Sequence, residues 1–370
     1  MQNLFVLAAL RPKRVLQVAS NNDLYVKKAE DLKSAYELFC KKEKLQVPEF
    51  IPVSMLDSPT PSIKETKYFI EQLYCSYSDL EINYTGGTKQ MSIAAYLVAL
   101  EKQLPSWYCD TQQGLILEGE TDKTNKKTFK INQIFSNFDC RIIMAANGNS
   151  TEMWYSTTAL NDDQKKLGKR IYDLLLNEEA HFTEYMKNVS DKVNPNNLML
   201  PNPPNQEIIE YLLFASQLNL VQFDNNIFTL LVEKKKKLSK KTIENSIKRI
   251  YGDPFEFFVH TCLLKSSRYF DVRRSVVTKD VSSETDFICL DRESKSLVLI
   301  SCKVTSAGAK LEHIESLIQR KNWMGGIFTK AILCVGKNYL AGDELQKKCR
   351  LFNVQLLVGS EIENYFNNQK

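Results

Sequence analysis

Histidine is scarce in this 370-residue chain. Only His181, His260 and His313 occur, and none is spaced for a histidine-based metal site. Cysteine is not scarce, but paired cysteine is. The nine cysteines (Cys40, Cys75, Cys109, Cys140, Cys262, Cys289, Cys302, Cys334 and Cys349) lie singly, with no Cys-x-x-Cys pair. That argues against a zinc ribbon or a disulfide frame and for buried free thiols in a reducing, cytoplasmic setting. No run of eighteen apolar residues occurs, so no helix is expected to span a membrane. No basic-then-apolar leader opens the sequence, so secretion is not expected. Charge of either sign is nearly balanced, and a net +5 does not by itself argue for a nucleic-acid partner.

What is present is the composition of a globular chain, 43% apolar and 10% aromatic, long enough for two to three domains. Residues 1–150 alternate helices and strands. Val15 to Ala19 reads as a buried strand, Asn22 to Lys44 as a helix, Phe50 to Val53 as a strand, and Ile63 to Cys75 as an amphipathic helix. Leu80-Glu81-Ile82-Asn83 is a further strand. Trp107 to Asp110 and Gly114 to Leu117 form a hairpin. Strands separated by helices predict a parallel, doubly wound α/β sheet that binds ligands at the carboxyl ends of its strands. One such end carries Asn83-Tyr84-Thr85-Gly86-Gly87-Thr88-Lys89-Gln90-Met91, running into an apolar helix. The Gly-x4-Gly-Lys spacing of a P-loop is absent. Two readings fit: a plain glycine turn, or an anion loop in which the glycines admit close approach and the first helical turn offers free N–H groups. Met1 to Leu10 reads as a helix where a sheet of this kind usually opens with a strand, so a first strand and its loop are expected to be missing or to lie upstream.

Residues 151–245 carry less. Lys165 to Val189 is mostly helical and Glu207 to Leu220 is an amphipathic helix. Val221 to Val232 reads as a hairpin about Asn225-Asn226, which together suggests a small helical or winged-helix-like linker. The run Lys234 to Lys237 with Lys240 and Lys241 is either a solvated face or a phosphate-backbone track.

Residues 246–370 read as helix, three strands, helix, strand, helix, strand. The first helix is expected to start at Phe255, after Asp253-Pro254. Asp286 falls inside an apolar second strand and Lys303 ends an apolar third, in Ser301-Cys302-Lys303. Charges in such strands are costly unless paired or metal-bound, so either a buried ion pair or a metal site is expected. Carboxylates with a nearby lysine suit phosphodiester hydrolysis with a divalent ion. Glu284 lies two residues before Asp286, on the same strand face, and Glu256 lies in an otherwise apolar stretch of the leading helix.

The loop Asn83 to Met91 resembles the ligand loop of CARF domains, the cyclic-oligoadenylate sensors of type III CRISPR immunity. The order of the last eight elements resembles the restriction-endonuclease-like, PD-(D/E)XK core, and Ser301-Cys302-Lys303 and Gly325-Gly326 resemble variants in CARF-linked nucleases. The resemblance implies a homodimeric nuclease activated by cyclic tetra-adenylate and cutting DNA, RNA or both with Mn2+ or Mg2+. It implies ligand contacts at Asn83, Thr85, Gly86, Gly87, Thr88 and Lys89. It implies catalytic roles for Asp286, Lys303, Glu256 and Glu284, and metal contacts from Asp286, Glu256 and the Cys302 carbonyl. Ser301 stands where the general pattern has an acid. The same likeness therefore also fits a cyclic-oligoadenylate-binding regulatory protein with an inactive nuclease fold.

Overall fold

The structure, a computed structural model, describes residues 1–77, 79–119, 126–149, 152–156, 158–232, 239–279, 281–304, 311–325, 329–336 and 343–367. The chain divides into two compact units. The first is Met1–Glu152 with the short pieces Arg292–Ser296 and Met324–Gly326. The second is Met153–Asp291 with Leu297–Trp323 and Ile327–Lys370.

The first unit runs α1 (Gln2–Leu10), β1 (Arg14–Val15), β2 (Val18–Ser20), α2 (Asp23–Glu43), β3 (Glu49–Phe50), β4 (Ser54–Leu56), α3 (Ile63–Ser76), β5 (Ile82–Asn83), α4 (Lys89–Glu101), β6 (Ser106–Asp110), β7 (Leu115–Glu118), β8 (Thr128–Lys130), α5 (Ile131–Phe135) and α6 (Cys140–Ala146). The pairs β1–β3, β2–β4 and β5–β6 are parallel, the arrangement that alternating helices and strands predict. The expected strand Val15 to Ala19 is broken into β1 and β2, and of the expected Phe50 to Val53 only Phe50 lies in a strand, with β4 following from Ser54. Pro52 explains the break, because it has no N–H for the ladder, and pairing resumes only where Ser54 N donates to Gln17 O at 2.9 Å. The expected hairpin is present as antiparallel β6–β7, with β8 added beside β7. Asn22 caps α2, and Ser62 and Glu65 form a capping box at α3. Residues 2–10 are helical as expected, and α1 buries Leu4, Phe5, Val6 and Ala8.

The second unit comprises β9 (Met153–Ser156), α7 (Asp162–Asn177), α8 (Glu179–Lys192), α9 (Gln206–Gln217), β10 (Val221–Asp224), β11 (Ile227–Leu230), α10 (Lys240–Lys265), β12 (Tyr269–Thr278), β13 (Val281–Asp291), β14 (Ser296–Lys303), α11 (Leu311–Gly325), β15 (Lys330–Val335), α12 (Asp343–Leu351), β16 (Val354–Val358) and α13 (Ser360–Asn367). Its sheet has the order β16-β15-β14-β13-β12-β9. β14, β15 and β16 are parallel, and β12 is antiparallel to both β13 and β9. One buried cluster joins Ile171, Phe182 and Tyr211 to Phe255, Ile300 and Ile332, so residues from 153–245 and 246–370 share a core. Asn225 and Asn226 both have positive φ, 47° and 63°, as a tight turn between β10 and β11 requires. The Lys234 to Lys237 run and Gly326 lie outside the described residues.

The helix expected to begin at Phe255 begins at Lys240, and Pro254 lies inside it. A proline there leaves the carbonyl of Ile250 without its helical donor. The Tyr211 hydroxyl supplies the missing hydrogen bond to that carbonyl. Gly168 of α7 packs against the same bend; a Cβ on it would lie 2.7 Å from Phe258 N and 2.9 Å from Pro254 O. A glycine and a tyrosine from neighbouring helices therefore accommodate the proline, which sequence periodicity alone does not reveal.

Candidate functional site

Each unit presents one candidate site. In the first unit the Gly-Gly loop leaves β5 at its carboxyl end and enters α4. Asn83 builds the loop: its Oδ1 accepts from Thr85 N at 3.1 Å and from Thr85 Oγ1 at 2.7 Å. Thr85 Oγ1 in turn accepts from Cys109 N on β6 at 2.8 Å, which pins the loop to the sheet. Gly87 has φ +95°, a conformation L side chains rarely adopt. At Gly86 a Cβ would meet Asn3 Nδ2 at 2.3 Å. Asn3, on α1, also accepts from Asn83 Nδ2 at 3.1 Å. Thr88 is the N-cap of α4 and accepts from Met91 N at 3.3 Å. Ser92 Oγ donates to Gly86 O at 3.1 Å. The N–H groups of Lys89 and Gln90 have no partner within α4 by helix geometry, and the Lys89 side chain is exposed.

The six expected loop residues thus share one loop but do different work. Asn83 and Thr85 spend their side chains on loop shape. Gly86, Gly87, Thr88 and Lys89 present backbone and side-chain donors at a helix N-terminus, an arrangement that suits an anion. Asn3 and Ser92 were not legible as loop partners, because nothing in their local sequence marks them. Beside the loop, the Tyr84 ring stacks on Tyr108 at 5.7 Å and tilts against Tyr96 at 5.3 Å. These three line an open cleft of about 430 Å³.

In the second unit Asp286 lies on β13 beside β14. Its Oδ2 accepts from Cys302 N at 2.6 Å and from Ser301 Oγ at 3.1 Å. Lys303, two residues beyond Ser301 on β14, shares that strand face. Arg320 of α11 donates to the carbonyl of Glu284 and, at 3.3 Å, to Thr285 Oγ1, fixing β13 just before the acid. Glu284 is exposed and lines a cleft of about 610 Å³ together with Lys248, Asp253, Glu256 and Arg274. Glu256 is 6% exposed. Burial first, then the negative charge of Asp286, pushes its carboxyl up to about 8, against the pull of Lys248. Lys248 Nζ lies 3.4 Å from Glu256 Oε1 and 3.8 Å from Asp253 Oδ1. Burial would lower the Lys248 pKa, but Glu256 and the other nearby carboxylates outweigh it and hold the ammonium above its usual range.

The structure therefore brings Asp286, Ser301 and Cys302 together, puts Lys303 on the strand face of Ser301, and couples Glu256 electrostatically to Asp286. Lys248 and Arg274 were not anticipated. Among the described residues, no three His, Cys, Asp or Glu side chains are grouped to hold a metal ion. The donor set nevertheless fits a hard dication in kind: two carboxylates that repel each other, one of them buried and driven toward its neutral form. The Cys302 thiol is held protonated by burial and by its bond to Cys334, so its backbone oxygen is the better donor.

No family model matches the sequence, and no curated protein matches it. Solved structures do match. Can2 from Sulfobacillus thermosulfidooxidans, in complex with cyclic tetra-adenylate, aligns at 17% identity with a TM-score of 0.73, over 99% of this chain and 94% of its own. Protein VC1899 from Vibrio cholerae aligns at 13% identity with a TM-score of 0.72, over 99% of this chain and 93% of its own. At such identities the likeness is one of fold, and it extends through both units: the chain is a mixed α/β protein built like Can2 and VC1899 from end to end.

Proposed function

We propose that this protein is a cyclic-oligoadenylate-activated, metal-dependent nuclease of type III CRISPR defence, cutting DNA, RNA or both. The observation that carries the sensor half is the loop at the N-terminus of α4, whose shape is set internally by Asn83 and Thr85 while Thr88 caps the helix and Lys89 stays exposed beside it. The fold of cyclic-tetra-adenylate-bound Can2 makes that ring the first ligand to try. A ring with internal symmetry suits a pocket made by two equal halves, so the protein acts as a homodimer in this reading. In support, α4 carries an outward stripe of Ile93, Tyr96, Leu97 and Leu100, with Ile93 47% and Leu100 45% exposed. Calorimetric titration of cyclic tetra-adenylate into the wild type should show binding. Thr88→Ala with Lys89→Ala should weaken it at least about tenfold, as expected for lost charge-assisted hydrogen bonds. No heat of binding in the wild type, or unchanged affinity in the double variant, would overturn the assignment of this loop.

The nuclease half rests on Asp286, Glu256 and Lys303. Asp286 and Glu256, with the Cys302 carbonyl, are the groups to hold a divalent ion, and Cys302 N and Ser301 Oγ keep Asp286 oriented. A bound Mn2+ or Mg2+ would supply phosphate charge neutralisation and an acidified water. Lys303, on the strand face of Ser301, stabilises the negative charge that develops at phosphorus. Glu284, exposed at the cleft rim, adds negative charge near Glu256. Asp286→Asn should abolish cutting, and Lys303→Ala should abolish it while sparing metal affinity.

A second reading has its own support: Ser301 occupies the position of the usual acid and completes the hydrogen bonding of Asp286. On that reading the chain binds cyclic oligoadenylate and regulates without cutting. Ser301→Glu separates the two. Cutting that is unchanged or reduced favours a site completed by Glu256, and a large gain favours a degenerate nuclease.

A further inference from the structure

The cleft of the second unit is lined by a half-buried cation, Arg274, whose hydrogen bonding is incomplete. Arg274 of β12 donates through Nη2 to Ser156 Oγ on β9 at 3.2 Å. Its guanidinium lies 5.1 Å from the centroid of Phe257, the residue after Glu256. Its buried Nη1 has no hydrogen-bond partner among the described residues. Buried donors are normally satisfied, so an exception beside a cleft needs an explanation.

The backbone beside it is irregular. Ser275 has φ +53°, and the register of β12 against β9 shifts between Arg274 and Val277. A bulge of this kind re-aims neighbouring side chains and recurs near functional sites. Arg274 and Ser275 line the same cleft as Lys248, Glu256 and Glu284. The Arg274 guanidinium is a planar cation in the cleft wall, which suits the oxygens of a phosphodiester.

We infer that Arg274 is a substrate-binding residue that grips a phosphate of the nucleic-acid backbone in the cleft, with the Ser156 hydroxyl and the Phe257 ring holding its guanidinium in place. The inference deepens the nuclease reading and rests on it. It assigns to β12 a role that the motif Asp286 to Lys303 does not contain.

The test is fluorescence anisotropy of the full chain with a labelled single-stranded DNA oligonucleotide, and separately an RNA of the same sequence. Both are measured in EDTA with cyclic tetra-adenylate present, across a salt series. Arg274→Gln should weaken binding about tenfold or more and reduce the salt slope by about one counterion. Arg274→Lys should keep most of the slope while losing part of the affinity. Ser156→Ala leaves the charge in place and removes its anchor, so it should weaken binding about two- to threefold if the anchor matters. It also serves if Arg274→Gln fails to fold. With Mn2+, the KM of cutting by Arg274→Lys should rise more than its kcat falls. Wild-type affinity and slope in a folded Arg274→Gln protein would overturn the inference and leave the nuclease reading standing. A wild type that neither binds nor cuts either oligonucleotide would overturn both.

Discussion

Glu256 is the residue whose titration can be read without knowing the substrate. Its carboxyl is pushed up to about 8 from the ordinary glutamate value of 4.5, first by burial and then by Asp286. A carboxyl raised in this way contributes stability below its unfolded pKa and loses that contribution as pH rises through the folded pKa. The metal-free wild type should therefore lose thermal stability between about pH 4.5 and 8. Glu256→Gln should flatten that fall, with the largest gain over wild type above pH 8. Mn2+ should raise the wild-type Tm more at pH 8 than at pH 5. Parallel pH profiles for the two proteins would mean that Glu256 is not the group titrating. At the same scale, sequence spacing singled out Asp286, Lys303 and the Thr88-Lys89 pair as candidates because each breaks an apolar pattern or follows paired glycines. It did not locate Arg274, Lys248, Asn3 or Ser92, whose roles depend on neighbours distant in the chain, such as Ser156 for Arg274 and Asn83 for Asn3.

At the scale of elements, much was legible where periodicity and punctuation agree. The strands at Lys330–Val335 and Val354–Val358 and the hairpin turn at Asn225-Asn226 fall where apolar runs and turn residues put them. Pro254 misled, because a proline reads as a helix start unless some other group satisfies the carbonyl it orphans. Tyr211 does so from α9, and Gly168 lets α7 approach the bend. Tyr211→Phe should leave the buried Ile250 carbonyl unpaired and cost about 1–3 kcal/mol. Gly168→Ala should cost a similar amount, about 1–3 kcal/mol, by forcing two backbones apart. Chemical denaturation measures both, and a loss below about 0.5 kcal/mol in either would show that the bend is held by other contacts. Asp291, fully buried, is paired with Arg268 at 2.6 Å and Lys330 at 3.1 Å. Arg268→Met should be strongly destabilising, by about 3–5 kcal/mol, since it removes one partner from a buried charge.

At the scale of the whole molecule, the likeness to Can2 and VC1899 covers 99% of the chain, although only 17% and 13% of residues are identical. The order of helices and strands pointed to α/β segments at 1–150 and 246–370, because order survives when identity does not, but it set 151–245 apart as a linker whose residues share a core with 246–370. Whether a ligand at one unit controls chemistry at the other depends on energy differences between states: the ring must bind the cutting-competent arrangement more tightly than the resting one. The most direct measurement is cleavage of labelled DNA and RNA by the full chain with Mn2+, with and without cyclic tetra-adenylate, alongside Asp286→Asn. The predicted result is cutting by the wild type that rises at least about tenfold with the ring, a differential affinity of about 1.4 kcal/mol or more, and none by Asp286→Asn. Equal cutting with and without the ring, or undiminished cutting by Asp286→Asn, would contradict it.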